Sequence, residues 1–419
     1  MYRRLCLPVA LLIAFPLLVW AASPEAPLPS ETPRKLGLAP ERLERVSAQI
    51  QADVEAGRIV GATALIARRG RVGYFEAFGQ ADREESAPMR KDAIFRIYSM
   101  SKPITSVALM MLHEEGKFQL RDPVEKYLPE FEGVRVMDGA RLVEPKRKPT
   151  IQDLLRHTAG LTYGIFGNTE VDKRYREAKI LSREDTVAEM TEKLGKLPLL
   201  YHPGSRWHYS VANDVQGRLI EALSGETFGE YLQARIFEPL GMVDTGFQVP
   251  AEKVGRFAQM YQPTKASRLE LKTAPPRSSI GFLEPVAFQS GGGGLVSTTA
   301  DYLRFCQMLL NGGELDGVRL LGRKTVELMT RDHLTGVPEA SVRDGGYGFG
   351  LGVAVHLDPG KSGSASSPGE YRWGGAAGTQ FWIDPEEEMI GIYMVQILPH
   401  NGLSYGRMFK QLAYQAIVD

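Results

Sequence analysis

Ser99 and Lys102 stand three residues apart in Ser99-Met100-Ser101-Lys102, at the head of an apolar-periodic stretch. Residues i and i+3 share one face of a helix, so this spacing brings the Lys102 amine back toward the Ser99 hydroxyl. A serine hydroxyl becomes a useful nucleophile when a neighbouring base takes its proton. An ordinary lysine holds its own proton, with a pKa of about 10.4. Burial and the positive end of a helix dipole both disfavour the ammonium and make such a lysine a usable base. The pattern is short enough to arise by chance in 419 residues, so its neighbours decide its weight.

Tyr209 lies in Pro203-Gly204-Ser205-Arg206-Trp207-His208-Tyr209-Ser210-Val211. A phenol beside a lysine can relay a proton to and from a serine; the competing reading is a core tyrosine ahead of a helix. Arg156-His157-Thr158-Ala159-Gly160-Leu161 reads as a helix end whose His and Thr pin a loop. Trp373-Gly374-Gly375-Ala376 precedes a strand-like run from Gly378. Small residues there let a substrate approach an edge strand, where the Ala376 N–H can join the Ser99 N–H around an oxyanion. The bland alternative is a glycine turn beside a packed tryptophan.

A second serine competes. Gly402-Leu403-Ser404-Tyr405-Gly406 matches the Gly-x-Ser-x-Gly elbow, but that arrangement requires an acid and a histidine later in the chain. No histidine follows Ser404, and the only acid after it is the terminal Asp419. Metal catalysis lacks a frame, because His113, His157, His202, His208, His333, His356 and His400 form no His-Glu-x-x-His. The run Gly291-Gly292-Gly293-Gly294 lacks the Lys-Ser/Thr ending of a phosphate loop and reads as a flexible turn beside the cleft. No cofactor or metal is called for.

These residues need a scaffold. Leu43, Val46, Ile50 and Val54 predict an amphipathic helix from about Pro40, stopped by Gly57. Ala62 to Ala67 and Val72 to Phe78 read as strands joined near Arg68-Arg69-Gly70. A capped helix is expected behind Ser99, with Val107, Leu109, Met110, Met111 and Leu112 inside and Gly116 as its stop. Thr150-x-x-Asp153 is a capping-box variant, and further helices are expected over Asn213 to Leu223 and Phe228 to Ile236. Thr298-x-x-Asp301 opens a helix in which Tyr302, Phe305, Cys306 and Leu309 form a buried stripe, so Cys306 reads as core filler. Strand-like runs follow at Tyr347 to Val355, Gly378 to Ile383 and Ile390 to Leu398, then a helix with Phe409, Leu412 and Ala416 on one face. The expected fold class is α+β: an antiparallel sheet built from both chain ends, flanked by helices, with a mostly helical lobe inserted. The expected division is 39–98 with 286–419 as the α/β lobe and 99–285 as the helical lobe.

Charge and composition exclude several classes. Lys plus Arg and Asp plus Glu both total 50, so no global field recruits nucleic acid or anionic lipid. Lys146-Arg147-Lys148 reads as a solvated loop. Arg3 and Arg4, the apolar run from Leu5 to Trp20, and Val19-Trp20-Ala21 have the anatomy of a secretory signal over 1–21. An uncleaved membrane anchor is the alternative, and Pro8, Pro16 and the small-residue exit favour cleavage. Residues 22–38, with Pro24, Pro27, Pro29 and Pro33, read as an extended leader. Cleavage leaves Cys306 as the only cysteine, so the exported chain would fold without an internal disulfide.

Phe95-Arg96-Ile97-Tyr98-Ser99-Met100-Ser101-Lys102, His157-Thr158-Ala159-Gly160-Leu161, Tyr209-Ser210-Val211 and Trp373-Gly374-Gly375 together resemble the penicillin-recognising serine hydrolase superfamily. Their order and spacing resemble its class C β-lactamase branch, most closely the family VIII carboxylesterases, over about 38 to 415. The resemblance implies a β-lactamase/transpeptidase-like fold, Ser99 as the acylated nucleophile, and Lys102 and Tyr209 as the proton-handling pair. Two departures concern substrate. Val211 stands where class C β-lactamases carry an asparagine, and Trp373 where they carry the lysine of Lys-Thr-Gly. Losing both polar groups implies an apolar rim suited to neutral esters, and Arg372 is the available substitute charge. The expectation is an exported carboxylesterase acting on small short-chain or aryl esters. The alternatives are a β-lactamase or D-amino-acid peptidase and, from another class, a non-catalytic cell-wall-binding or sensor module.

Overall fold

The computed structural model describes residues 28–264, 271–273, 281–400 and 405–419. Residues 1–21, where a secretory signal is expected, and Ser404 lie outside these residues. The main sheet comprises β1 (Gly61–Arg68), β2 (Arg71–Asp82), β3 (Ala87–Pro88), β4 (Tyr347–Phe349), β5 (Ala354–His356), β6 (Tyr371–Gly374), β7 (Gln380–Asp384) and β8 (Met389–Val395). Its order is β4-β5-β6-β7-β8-β1-β2-β3, antiparallel throughout. The two chain ends meet where β1 pairs β8, from Ala62 opposite Val395 to Arg68 opposite Met389. The β1–β2 turn uses Arg69 and Gly70, both at positive φ.

Every residue of β1 is buried because helices cover both faces of the sheet. The side chains alternate between two cores, as a two-residue period requires. Ala62, Ala64 and Ile66 face Leu43, Val46 and Ile50 of α1 (Pro40–Glu55) together with Phe409 and Ala413 near the C-terminus. Leu65 and Ala67 belong to the larger core, with Ile104, Val107 and Phe305. That core also holds α2 (Ser101–Glu114), α3 (Ile151–Leu155), α4 (Ala212–Ser224) and α5 (Thr299–Leu310). Cys306 is buried on α5, as its stripe predicts. The last helix, α6 (Tyr405–Tyr414), ends before Ala416, which is itself buried.

Several elements differ from the sequence reading. No side chain caps α2; a short 3₁₀ turn, Tyr98–Met100, leads into it, and α2 is buried on every side from Ser101 to Leu112. The run from Tyr347 to Val355 is two strands, since Gly352 at φ +102° turns the chain where a Cβ would meet Ser106 Oγ at 2.4 Å. The described part of the leader is tied to the sheet: Val72 N–H donates to Pro29 O and Glu31 N–H to Val72 O, each at 3.0 Å. Trp373 and Gly374 lie on β6, an interior strand between β5 and β7 rather than an edge. Among the described residues, no helix is long and apolar enough to cross a membrane.

Candidate active site

Ser99 sits on the 3₁₀ turn before α2, and the neighbouring elements fix that turn. Ile97 N–H donates to Leu295 O at 3.1 Å, and the Tyr302 hydroxyl of α5 donates to Met100 O at 2.9 Å. Tyr98 has φ +42°, a left-handed conformation that a bulky L-residue adopts only when its surroundings impose it. Strain of this kind immediately before a candidate nucleophile is a recognised mark of functional sites.

Lys102 is almost fully buried one helical turn later. Its Nζ lies 3.3 Å from Ser99 Oγ, 2.7 Å from the Tyr163 hydroxyl and 2.5 Å from Gly292 O. An ammonium has three N–H donors, and these three oxygens match them. Tyr209 meets Lys102 through its ring, whose centroid is 4.7 Å from Nζ. The phenol that hydrogen-bonds Lys102 is therefore Tyr163, a residue the sequence reading passed over.

Tyr209 is placed by the loop that precedes α4. His208 N–H donates to His157 O at 2.9 Å, and Val211 N–H donates to Thr162 O at 3.4 Å. The His157 ring packs against Tyr209 with centroids 4.9 Å apart, while its Nδ1 lies 3.3 Å from Ser210 Oγ. Burial, with the Lys102 charge nearby, pushes the His157 imidazole well below its usual range, so it serves as a neutral support. Thr158 Oγ1 donates to Asp153 at 2.7 Å, and the pinning role expected of this His-Thr segment is visible in its contacts.

Gly374, Gly375 and Ala376 border the same cleft as Ser99 and Tyr209, a cavity of about 770 Å³. Ala376 lies in the turn between β6 and β7. Gly375 lets that turn press against the Ser99 segment. The Trp373 ring packs tilted against Tyr209 at 5.5 Å and edge-on to Phe349 at 5.3 Å, and Trp207 and Phe166 add further rings to the wall. Val211 does not line the rim; it is fully buried at the start of α4. Arg372 also borders the cleft, with its guanidinium 4.1 Å from the Tyr347 ring centroid.

The glycine run is a turn packed against α2 and α4. Gly291 O accepts from Thr105 Oγ1 at 2.8 Å, and a Cβ on Gly291 would stand 2.4 Å from Asn213 O. Asp214 lies behind it, fully buried, accepting from Ser290 Oγ at 2.5 Å and Gly292 N–H at 3.0 Å. Sequence signals for these residues were faint. Tyr163 follows the His157 segment without a motif of its own, and Asp214 reads as one polar position of an amphipathic helix. Among the described residues, no group of three His, Cys, Asp or Glu side chains could hold a metal ion.

A beta-lactamase family model matches residues 46–413. Protein Rv1367c of Mycobacterium tuberculosis is 36% identical over 370 residues, 85% of this chain and 90% of that protein. Esterase EstB of Burkholderia gladioli is 34% identical over 359 residues, 81% of this chain and 86% of its own. Among solved structures, EstCE1, described as a hydrolase with promiscuous acyltransferase activity, superposes with a TM-score of 0.76 at 30% identity. That match covers 89% of this chain and 98% of the other.

Proposed function

The chain belongs to the beta-lactamase family of serine hydrolases, and we propose that it is a carboxylesterase that works through an acyl-enzyme on Ser99. The observation that carries this reading is the convergence of Ser99, buried Lys102 and Tyr209 at one aromatic-walled cleft. In the proposed cycle the ester carbonyl oxygen lies between the Ser99 and Ala376 N–H groups, which stabilise the charge that develops there. The Lys102 amine takes the Ser99 proton as Oγ attacks the carbonyl carbon. Tyr209 passes a proton to the departing alkoxide, leaving the acyl group on Ser99. Water then attacks that ester, the same groups run the proton transfers in reverse, and the acid departs.

Rings of Trp207, Tyr209, Phe166 and Trp373 border the cleft near Ser99 and suit short acyl chains or aryl groups. The similarity to esterase EstB and to EstCE1 supports the same substrate class. On this reading the cleft is the seam between an α/β lobe, 39–98 with 286–419, and a helical lobe, 99–285. The amino-terminal pattern supports export, to the periplasm or the medium.

The test has two steps. A fluorophosphonate should label the protein, because that reagent requires an activated serine, and no labelling would remove the hydrolase reading in favour of a binding module. A panel of p-nitrophenyl esters, a chromogenic cephalosporin and D-Ala-D-Ala peptides should then show ester hydrolysis dominating.

A further inference from the structure

Lys102 is held from behind by groups that no motif marks. Asp214 Oδ1 accepts from Ser290 Oγ and from the Gly292 N–H, and the carbonyl of Gly292 accepts from Lys102 Nζ. Asp214 Oδ2 is buried and has no hydrogen-bond partner among the described residues. Gly292 fits between the two groups only because it lacks a side chain: a Cβ there would stand 2.7 Å from Asp214 Oδ2 and 2.8 Å from the Tyr163 hydroxyl. The carboxylate and the second phenol therefore converge on one spot behind the lysine.

We propose that Asp214 and Tyr163 are positioning residues for the Ser99 chemistry, fixing the direction and the charge of the Lys102 amine from the side away from the ester. The inference rests on Ser99 and Lys102 being the nucleophile and its base. A neutral amine keeps two N–H groups and one lone pair. With the two N–H groups committed to Tyr163 and Gly292 O, the lone pair is left facing Ser99 Oγ, the third hydrogen-bond partner of Nζ. Tyr163 suits this duty because burial, reinforced by Tyr209 and Asp214, pushes its phenol well above the usual range and keeps it un-ionised.

Asp214 supplies the charge balance. Burial raises its carboxyl above the ordinary range, opposed by the Ser290 hydrogen bond, the Lys102 charge and the Gly292 N–H. The titratable groups facing Lys102 are Tyr163, Tyr209, His157 and Asp214, and Asp214 is the acid among them. As a carboxylate it favours the lysine ammonium formed after Ser99 is deprotonated. Its removal should free the amine at lower pH, because an opposite charge nearby favours the charged form.

The experiment measures the rate of fluorophosphonate labelling at Ser99 against pH, alongside kcat/KM for p-nitrophenyl butyrate. Asp214→Asn should move the acidic limb of both profiles down by about one pH unit. Tyr163→Phe should move it in the same direction and lower the plateau, because the amine loses one of its two anchors. Ser290 is only half-buried, so Ser290→Ala provides a milder variant should Asp214→Asn fail to fold, and a smaller shift of the same sign is expected. Folded variants whose limbs coincide with wild type overturn the inference while leaving the esterase reading intact. Wild-type protein that is not labelled overturns the hydrolase reading, and this inference with it.

Discussion

Gly375 packs so closely under Ile97 that a Cβ on it would stand 2.3 Å from the Ile97 carbonyl oxygen. Thr379 Oγ1 reaches the same oxygen at 3.5 Å, and Met100 N–H donates to it at 3.0 Å. The turn that carries Ala376 and the turn that carries Ser99 thus share one carbonyl as a hub. Their spacing, and with it the proposed oxyanion site, depends on the missing side chain.

Gly375→Ala should therefore force the two turns apart. Loss of one well-placed oxyanion donor lowers kcat by roughly 10²-fold, and a comparable fall is expected with KM changing far less. Overpacking costs about 1–3 kcal/mol, so the melting temperature should also drop. Steady-state kinetics on p-nitrophenyl butyrate with a thermal melt checks both, and unchanged kcat in a folded variant refutes the role given to this contact.

The nucleophile assignment separates two serines. Ser99→Ala should abolish both ester hydrolysis and fluorophosphonate labelling, whereas Ser404→Ala should keep most of each. Lys102→Ala and Tyr209→Phe should each lower kcat by at least ~10²-fold, the size of a general acid–base contribution. Peptide mapping of the labelled protein locates the modified serine directly. A Tyr209→Phe enzyme with near wild-type turnover would move the proton relay to another group.

The sheet from both chain ends was legible because β1 and β8 are long apolar runs with strong strand propensity, and α1 shows its buried face every three to four residues. Short elements were harder. Tyr371–Gly374 mixes a charge, a tryptophan and a glycine, and only its pairing with β5 and β7 makes it a strand. Ser99 and Lys102 stood out through local spacing, and Tyr209 through the family resemblance of its segment; a sequence displays both. Tyr163, Asp214 and Ser290 reach Lys102 only through packing between segments 61 to 188 residues away from it (Tyr163 to Ser290), and no local pattern records that.

Asp153 ties the support of Tyr209 to stability. Its fully buried carboxylate accepts from Arg147 at 2.5 and 2.9 Å, from Arg156 at 3.1 Å and from Thr158 at 2.7 Å. Burial alone would raise its pKa, but Arg147 and Thr158 outweigh burial and hold the carboxyl below its ordinary value. A depressed folded pKa contributes stability that is present above the unfolded value of about 3.9 and lost as pH falls through the folded one. Asp153→Asn should destabilise the protein at pH 7 by about 1–3 kcal/mol, because two arginines lose a charged hydrogen-bond acceptor. Urea unfolding at neutral pH and near pH 3 tests the sign: the gap between variant and wild type should narrow in acid.

Substrate class turns on Trp373, which stands on β6 where β-lactamases place a lysine, and on Val211, which is buried where they place an asparagine. A β-lactam brings a carboxylate, and an aromatic wall gives it no partner, so part of its desolvation goes uncompensated. A small neutral ester carries no such charge and loses nothing on entering. Uncharged esters should be hydrolysed with kcat/KM at least ~10²-fold above cephalosporins, equivalent to roughly 2.7 kcal/mol of transition-state discrimination. Trp373→Lys should narrow that gap even if overall activity falls, because it restores a cation beside Tyr209, now 5.5 Å from the Trp373 ring. Arg372 and Arg407 border the same cleft and work against this expectation, so Arg372→Ala should widen the gap if its charge reaches an anionic substrate. Native protein that turns over a chromogenic cephalosporin as fast as p-nitrophenyl butyrate would reverse the assignment from esterase to β-lactamase.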